Sequence, residues 1–228
     1  MKYWFRLFVC FSLIAGILSG CTLREPEETV DPKQDPRLHI EHFDRMISLY
    51  GTERIEALRI LGYELSDTTF ESWHYIEIPQ KANICDIDFS IFLRFEDMKD
   101  QDECLFGTQY LKAYDYPEEK DKAIQDVLAL GEYLAEKLGE PDEVDTWNDY
   151  LEERSGIELD ETIPAYQSAE QLEKLLEYRG GDIMLWDLSG YAPASLVEHR
   201  TEEGWDVILQ MWLSFAIWDD AIQLEISF

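Results

Sequence analysis

Cys85-Asp-Ile-Asp-Phe-Ser-Ile-Phe-Leu-Arg-Phe95 decides the fold. Every second residue is apolar (Cys85, Ile87, Phe89, Ile91, Leu93 and Phe95), and Asp86, Asp88, Ser90 and Arg94 fall between them. Successive side chains of a strand point to opposite faces, so a period of two describes a strand with one face in a core and the other in water. Phe92 departs from the pattern, an aromatic residue among the polar set. The acidic run from Glu96 to Glu103 turns the chain, and Leu105 to Tyr114 returns as a partner strand. Upstream, Trp73 to Ile78 reads as a third strand, and the three form an antiparallel meander.

The same signature closes the chain. Val207, Leu209, Met211, Leu213 and Phe215 alternate with Ile208, Gln210, Trp212 and Ser214. After a turn at Trp218-Asp219-Asp220, Ile222, Leu224, Ile226 and Phe228 alternate with Gln223, Glu225 and Ser227, which predicts a hairpin.

Helical periodicity fills most of the remainder. Asp35-Pro36 reads as an N-cap followed by proline at the first helical position, ahead of the stripe Ile40, Phe43, Ile47 and Tyr50 that Gly51 ends. Thr52 can cap a second helix with Ile55, Leu58 and Leu61 on one side, closed by Gly62. Pro117 opens the longest helix, with a buried stripe of Ile124, Val127, Leu128, Leu134 and Leu138; Gly131 on that stripe lets it approach the sheet closely. Residues 142–167 form an acidic, weakly patterned excursion with a short strand or turn around Trp147. Ser168 and Gln171 make a capping box ahead of Leu172, Leu175 and Leu176, Gly180-Gly181 stops that helix, and Ile183 to Leu188 reads as a strand. The sum is an α+β domain over residues 37–228, an antiparallel sheet with helices packed on one face.

The first residues address the protein rather than fold it. Lys2 and Arg6 precede an apolar run from Leu7 to Leu18, the layout of a secretory signal, and the run is shorter than the ~20 residues a spanning helix needs. Leu18-Ser19-Gly20-Cys21 resembles the lipobox of bacterial lipoproteins, and the resemblance implies cleavage after residue 20, lipidation of Cys21, and attachment to a membrane on the extracytoplasmic side of the cell envelope. Residues 21–36, polar and rich in proline, then form a tether.

The formal charge of −30 becomes more negative by two once Lys2 and Arg6 leave. Such a surface repels phosphates and anionic lipid, so nucleic acid is excluded as a partner and the domain stands off the bilayer that its lipid holds. At 46% hydrophobic and 13% aromatic, the composition is far from that of disordered chains.

Residues 37–115, with Thr52-Glu-Arg-Ile-Glu-Ala-Leu-Arg-Ile-Leu-Gly62, Phe70, Trp73-His74-Tyr75 and the strand to Phe95, resemble small envelope lipoproteins of the outer-membrane-assembly and β-lactamase-inhibitor-like type. Those pair helices with a small antiparallel sheet and bind other proteins, so the resemblance implies a protein partner. The whole layout is also similar to uncharacterised lipoproteins of low-GC Gram-positive bacteria. Ile163-Pro164 through Leu175-Leu176-Glu177-Tyr178-Arg179-Gly180-Gly181 resembles a toxin-immunity superfamily.

Candidate chemistry is sparse. His39 and His42, at i and i+3 beside Glu41, fall short of the three or four ligands of a zinc site. Asp97, Asp100, Asp102 and Glu103 offer oxygen ligands for calcium but lack the glycine and spacing of an EF-hand, so they read as a solvated turn. Ser189 in Leu-Ser-Gly-Tyr lacks the glycine-flanked elbow of esterases. Cys85 and Cys104 are expected as thiols, because a hairpin turning near residue 98 or 99 sets Cys85 opposite about residue 112. Neither cofactor nor metal is called for. Paired carboxylates for hydrolysis can be drawn anywhere among 49 acidic residues, which makes each pair uninformative.

The polar side of the sheet holds the remaining candidates. Phe92, Ile208 and Trp212 lie opposite the apolar positions. If helices cover one face only, these three are an aromatic and aliphatic patch of the kind that binds proteins; otherwise the 142–167 excursion or a helix covers them. The functional expectation is a lipid-anchored binding module without catalysis. Its alternatives are an immunity-type protein against a toxin and an anchored hydrolase using paired carboxylates.

Overall fold

Strands whose alternate side chains are apolar can satisfy that pattern together only by turning one common face to a core. The computed structural model, which describes residues 41–70, 75–98, 101–144, 163–203, 206 and 208–228, shows that arrangement. Its strands are β1 (Thr69–Phe70), β2 (Tyr75–Ile84), β3 (Ile87–Met98), β4 (Gln101–Asp115), β5 (Glu143–Val144), β6 (Gly180–Asp187), β7 (Gln210–Trp218) and β8 (Ala221–Ser227). They form one sheet in the order β1-β2-β3-β4-β8-β7-β6-β5, with every neighbouring pair antiparallel. Two runs of sheet, β2-β3-β4 and β8-β7-β6, meet at a central β4–β8 seam, and two-residue strands lie at the edges.

The helices are α1 (Glu41–Ile47), α2 (Arg54–Leu61), α3 (Lys120–Leu138), α4 (Ala169–Glu177) and α5 (Ala194–Glu203). α1 and α2 lie against β4, α3 against β4 and β8, and α4 against β6 and β7. Phe89, Ile91, Leu93 and Phe95 of β3 join Met211, Leu213 and Phe215 of β7, Leu224 of β8 and Leu134 of α3 in one buried cluster. The protein is α+β. No described helix is long and apolar enough to cross a membrane.

Several local expectations are corrected. Cys85 is not in a strand: Cys85 and Asp86, at φ +53° and +61°, form a two-residue turn between paired Ile84 and Ile87. Positive φ at both positions matches the twist of the flanking strands. The Cys85 thiol therefore lies against the helix, 3.6 Å from the Ala129 carbonyl oxygen, and not opposite residue 112. Cys104 is buried opposite Glu96, and neither cysteine is in a disulfide.

β2 runs on through Pro79, because a register shift between Ile78 and Lys81 gives the proline a place outside the ladder. The acidic run does not turn as a whole: Met98 pairs with Gln101, and the strands continue into it. Ile55 faces solvent, and Ala57, Leu58 and Leu61 point inward instead. Thr52 is not the cap of α2, whose N-cap is Glu53.

Leu128 is half-buried, while Leu130 is fully inside. Gly131 makes its close approach to Tyr166, not to the sheet; a Cβ there would lie 2.9 Å from the Tyr166 Cβ. Ser168 accepts the Gln171 amide N–H at 3.4 Å, but the Gln171 side chain donates to the Ile163 carbonyl, so the capping box is half formed. Gly180 and Gly181 open β6, which ends at Asp187. The excursion after α3 begins with β5, paired to Met184 and Leu185. Residues 1–40, with the signal, Cys21, the tether and His39, lie outside the described residues, as do Trp73, Asp100, Trp147, Val207 and the side chains of His42, Asp97 and Asp102.

Candidate functional site on the open face

The strands that bury one face expose the other, and register decides which residues meet there. Pairing runs Glu77–Phe92–Gln109–Ser227–Trp212–Leu185 in one row across β2, β3, β4, β8, β7 and β6. Phe92 and Trp212 therefore share a row but stand three strands apart, about 14 Å at ordinary strand spacing, with Gln109 and Ser227 between them. Both are half-buried. This side is not uniformly wet: Leu185, next to Trp212 in the row, is buried yet outside the main core cluster.

Two hollows lined by described residues lie on this face. The narrower, about 280 Å³, is lined by Tyr75, Arg94, Phe106, Ile208 and Trp212 among others. Ile208 and Trp212 are thus brought together, with Ile208 63% exposed; Phe92 is not in their hollow. At its far end the Arg94 guanidinium lies 5.5 Å and that of Arg200 4.3 Å from the Phe106 ring centre, distances at which cation–π attraction acts. Arg94 also pairs with Glu96 at 2.9 Å.

The wider hollow, about 550 Å³, lies between Trp212 and Trp218 of β7. Its floor is made of Gly180, Gly181, Ser214 and Ala216, residues too small to fill it. Trp218, 64% exposed, stands at the rim. Trp212, Glu225 and Ser227 line both hollows, which makes them one trough.

The acidic end of the trough comes from register. Ser214 pairs with Asp182 on one side and Glu225 on the other, so two carboxylates flank one hydroxyl. The Ser214 hydroxyl donates to Asp182. Burial pushes the Glu225 carboxyl above its usual range; hydrogen bonds with Gln109 and Ser227 pull it down, and the charge of Asp182 adds to the push. Trp218, Asp182 and Glu225 were not singled out from sequence. The signal was present for Trp218 and Glu225: counted by twos, Trp218 has the parity of Trp212, and Glu225 lies on the polar side of β8.

The other candidates have structural duties. Ser189 Oγ accepts the Leu209 amide N–H at 3.0 Å, and Asp187 accepts the Ser189 amide N–H at 2.9 Å. Hydrogen bonds from the Ser189 hydroxyl and then its amide hold the Asp187 carboxyl below its usual range. Burial raises the Cys85 thiol, with the charges of Asp86, Asp126 and Glu132 adding to it, the reverse of what a reactive thiolate needs. Comparison with protein-family models, curated proteins and solved structures finds no match to this chain.

Proposed function

We propose that the chain is a lipid-anchored extracytoplasmic binding module, held to its membrane through Cys21, that engages a protein partner with the open face of its sheet and performs no catalysis. The observation that carries this reading is the trough itself: Ile208, Trp212 and Trp218 line it, on the side away from the core, with Ile208 and Trp218 largely in solvent. Exposed aromatic and aliphatic groups in a shallow depression are the usual anchors of a protein interface. An immunity-type role is the same reading with a toxin as the partner; the leucines quoted for that resemblance, Leu175 and Leu176, are core.

The test is crosslinking and pull-down from intact cells with the lipidated protein. Wild type is expected to retain a partner that Ile208→Asp loses while its melting temperature is unchanged. Equal capture by both would remove the open face from the reading. Mass spectrometry of the membrane-extracted protein is expected to show acylated Cys21, and an unmodified soluble form would overturn the anchor.

One observation favours a hydrolase as the second reading: Asp182 and Glu225 flank Ser214, and burial raises the Glu225 carboxyl. Glycoside hydrolysis uses a pair of carboxyls, one of them raised so that it can act as the acid. Against it, a trough rimmed by a solvated tryptophan does not exclude water, which weakens the electrostatics on which such catalysis depends.

A further inference from the structure

We infer, building on the binding reading above, that the wider hollow receives the side chain of a lysine or arginine presented by a partner protein, its cation lodged between the Asp182 and Glu225 carboxylates and the indole of Trp212. The register gives the geometry. Asp182 and Glu225 are both cross-strand neighbours of Ser214, each about one strand spacing, ~4.8 Å, away from it. Ser214 cannot separate their charges, since its one proton goes to Asp182. The groups hydrogen-bonded to Glu225, Gln109 and Ser227, are neutral.

Two carboxylates thus border one hollow, and Glu225, raised first by its burial, is pushed further by the charge of Asp182. A cation entering between them relieves both penalties, and tryptophan is the best aromatic face for it. The small floor leaves room for a long side chain: Gly180 and Gly181 have none, and Ser214 and Ala216 end after one or two heavy atoms.

The other charges agree. Arg179, at the rim, is exposed and makes no ion pair among the described residues, so one peripheral cation faces two carboxylates. Arg94 lines the opposite end of the trough beside Phe106, which leaves the Asp182 end the more acidic of the two. The formal charge of −30 speeds the encounter with a basic surface. A free amine is the poorer occupant, because small-ligand sites enclose most of their ligand and this hollow is open at Trp218.

The experiment titrates the full chain in detergent with a blocked pentapeptide carrying one central arginine, and with its citrulline counterpart, following the indole N–H signals of Trp212 and Trp218. The arginine peptide is expected to shift both signals. Asp182→Asn with Glu225→Gln should weaken it at least tenfold, and the same charge change on α3, Glu132→Gln with Glu136→Gln, less than twofold. Affinity should fall on acidification at a pH above the ordinary glutamate value of 4.5, where Glu225 takes up its proton.

Asp182→Asn alone, expected to weaken binding several-fold, keeps the test decisive if the double variant does not fold. Equal binding of citrulline, or equal losses in the two double variants, overturns the inference. Binding of free arginine as tight as that of the peptide overturns the protein source. In the intact-cell pull-down, a partner lost by Ile208→Asp but kept by Asp182→Asn/Glu225→Gln overturns the cation and leaves the binding face standing. A partner kept by both variants overturns the two together.

Discussion

On β7, Met211, Leu213 and Phe215 face the helices and have no exposed surface, while Trp212, Ser214, Ala216 and Trp218 face the trough and range from half-buried to 64% exposed. One residue of chain separates a position whose shape is dictated by its neighbours from one that is free to answer to something outside the fold. Inward side chains are fixed on all sides by interdigitated atoms, so even a lost methyl group is felt. Outward ones rest on a flat ladder of small and polar residues, so their identity is cheap for stability and available for recognition. One parity of these strands builds the core, and the other is left to the open face.

The contrast can be broken at its strongest point first. Phe215→Ala empties a fully buried site between β6 and β8. It is expected to cost about 3–5 kcal/mol, a fall in melting midpoint of about 10 °C at roughly 2–4 °C per kcal/mol for a domain of this size. Calorimetry showing no fall would mean the inward face is not the core.

Gly180→Ala probes a place where the two faces meet through backbone. At φ +90°, a Cβ there would lie 2.0 Å from the Phe215 carbonyl oxygen, so β6 and β7 must move apart or tilt. A loss of about 1–3 kcal/mol is expected, read as a lower urea midpoint with an unchanged slope.

Glu225→Gln sharpens the comparison from the outward side, and its sign is opposite. A carboxyl whose acidity is weaker folded than unfolded favours the fold while protonated, below the ordinary 4.5, and loses that contribution as pH rises through its folded value. The variant is therefore expected to melt about a degree or two higher than wild type at pH 7, with the difference fading toward pH 4; a lower melting point at pH 7 would show that Glu225 is a stabilising partner instead. Smallest of all, Ile208→Ser should change stability by less than about 0.5 kcal/mol, and a larger loss would mean that Ile208 is covered.

Much of this was legible in the sequence. The alternations at 87–95 and 209–228 located β3, β7 and β8 and which parity faces the helices, because burial on one side leaves a period of two in the residues themselves. What escaped depends on neighbours remote in the chain. Cys85-Asp86 reads as a continuation of a strand because its side-chain alternation is right; only the positive φ values mark it as a turn. Pro79 hid the second half of β2, since a bulge that accommodates proline leaves no mark beyond the proline. Gly180 looked like a helix stop, and its close contact with Phe215 arises only once β6 and β7 pair. Likewise Trp212 and Ile208 could be placed on the polar side, whereas the convergence of Asp182 and Glu225 on Ser214 is a product of register.

The seam at the centre of the sheet governs how fast this molecule can reach its native state. β2 pairs with β3, β3 with β4, and β7 with β8 across short connections, pairings that form locally. β4 and β8 join residues more than a hundred positions apart, as in Asp115 with Ala221 and Gln109 with Ser227. Closing a loop of that length costs roughly 4 kcal/mol of chain entropy before any pairing along the seam offsets it. Two hairpin units therefore wait on one docking event, and until it occurs β4 and β8 each offer an unpaired edge. That interval is when the chain is most exposed to aggregation.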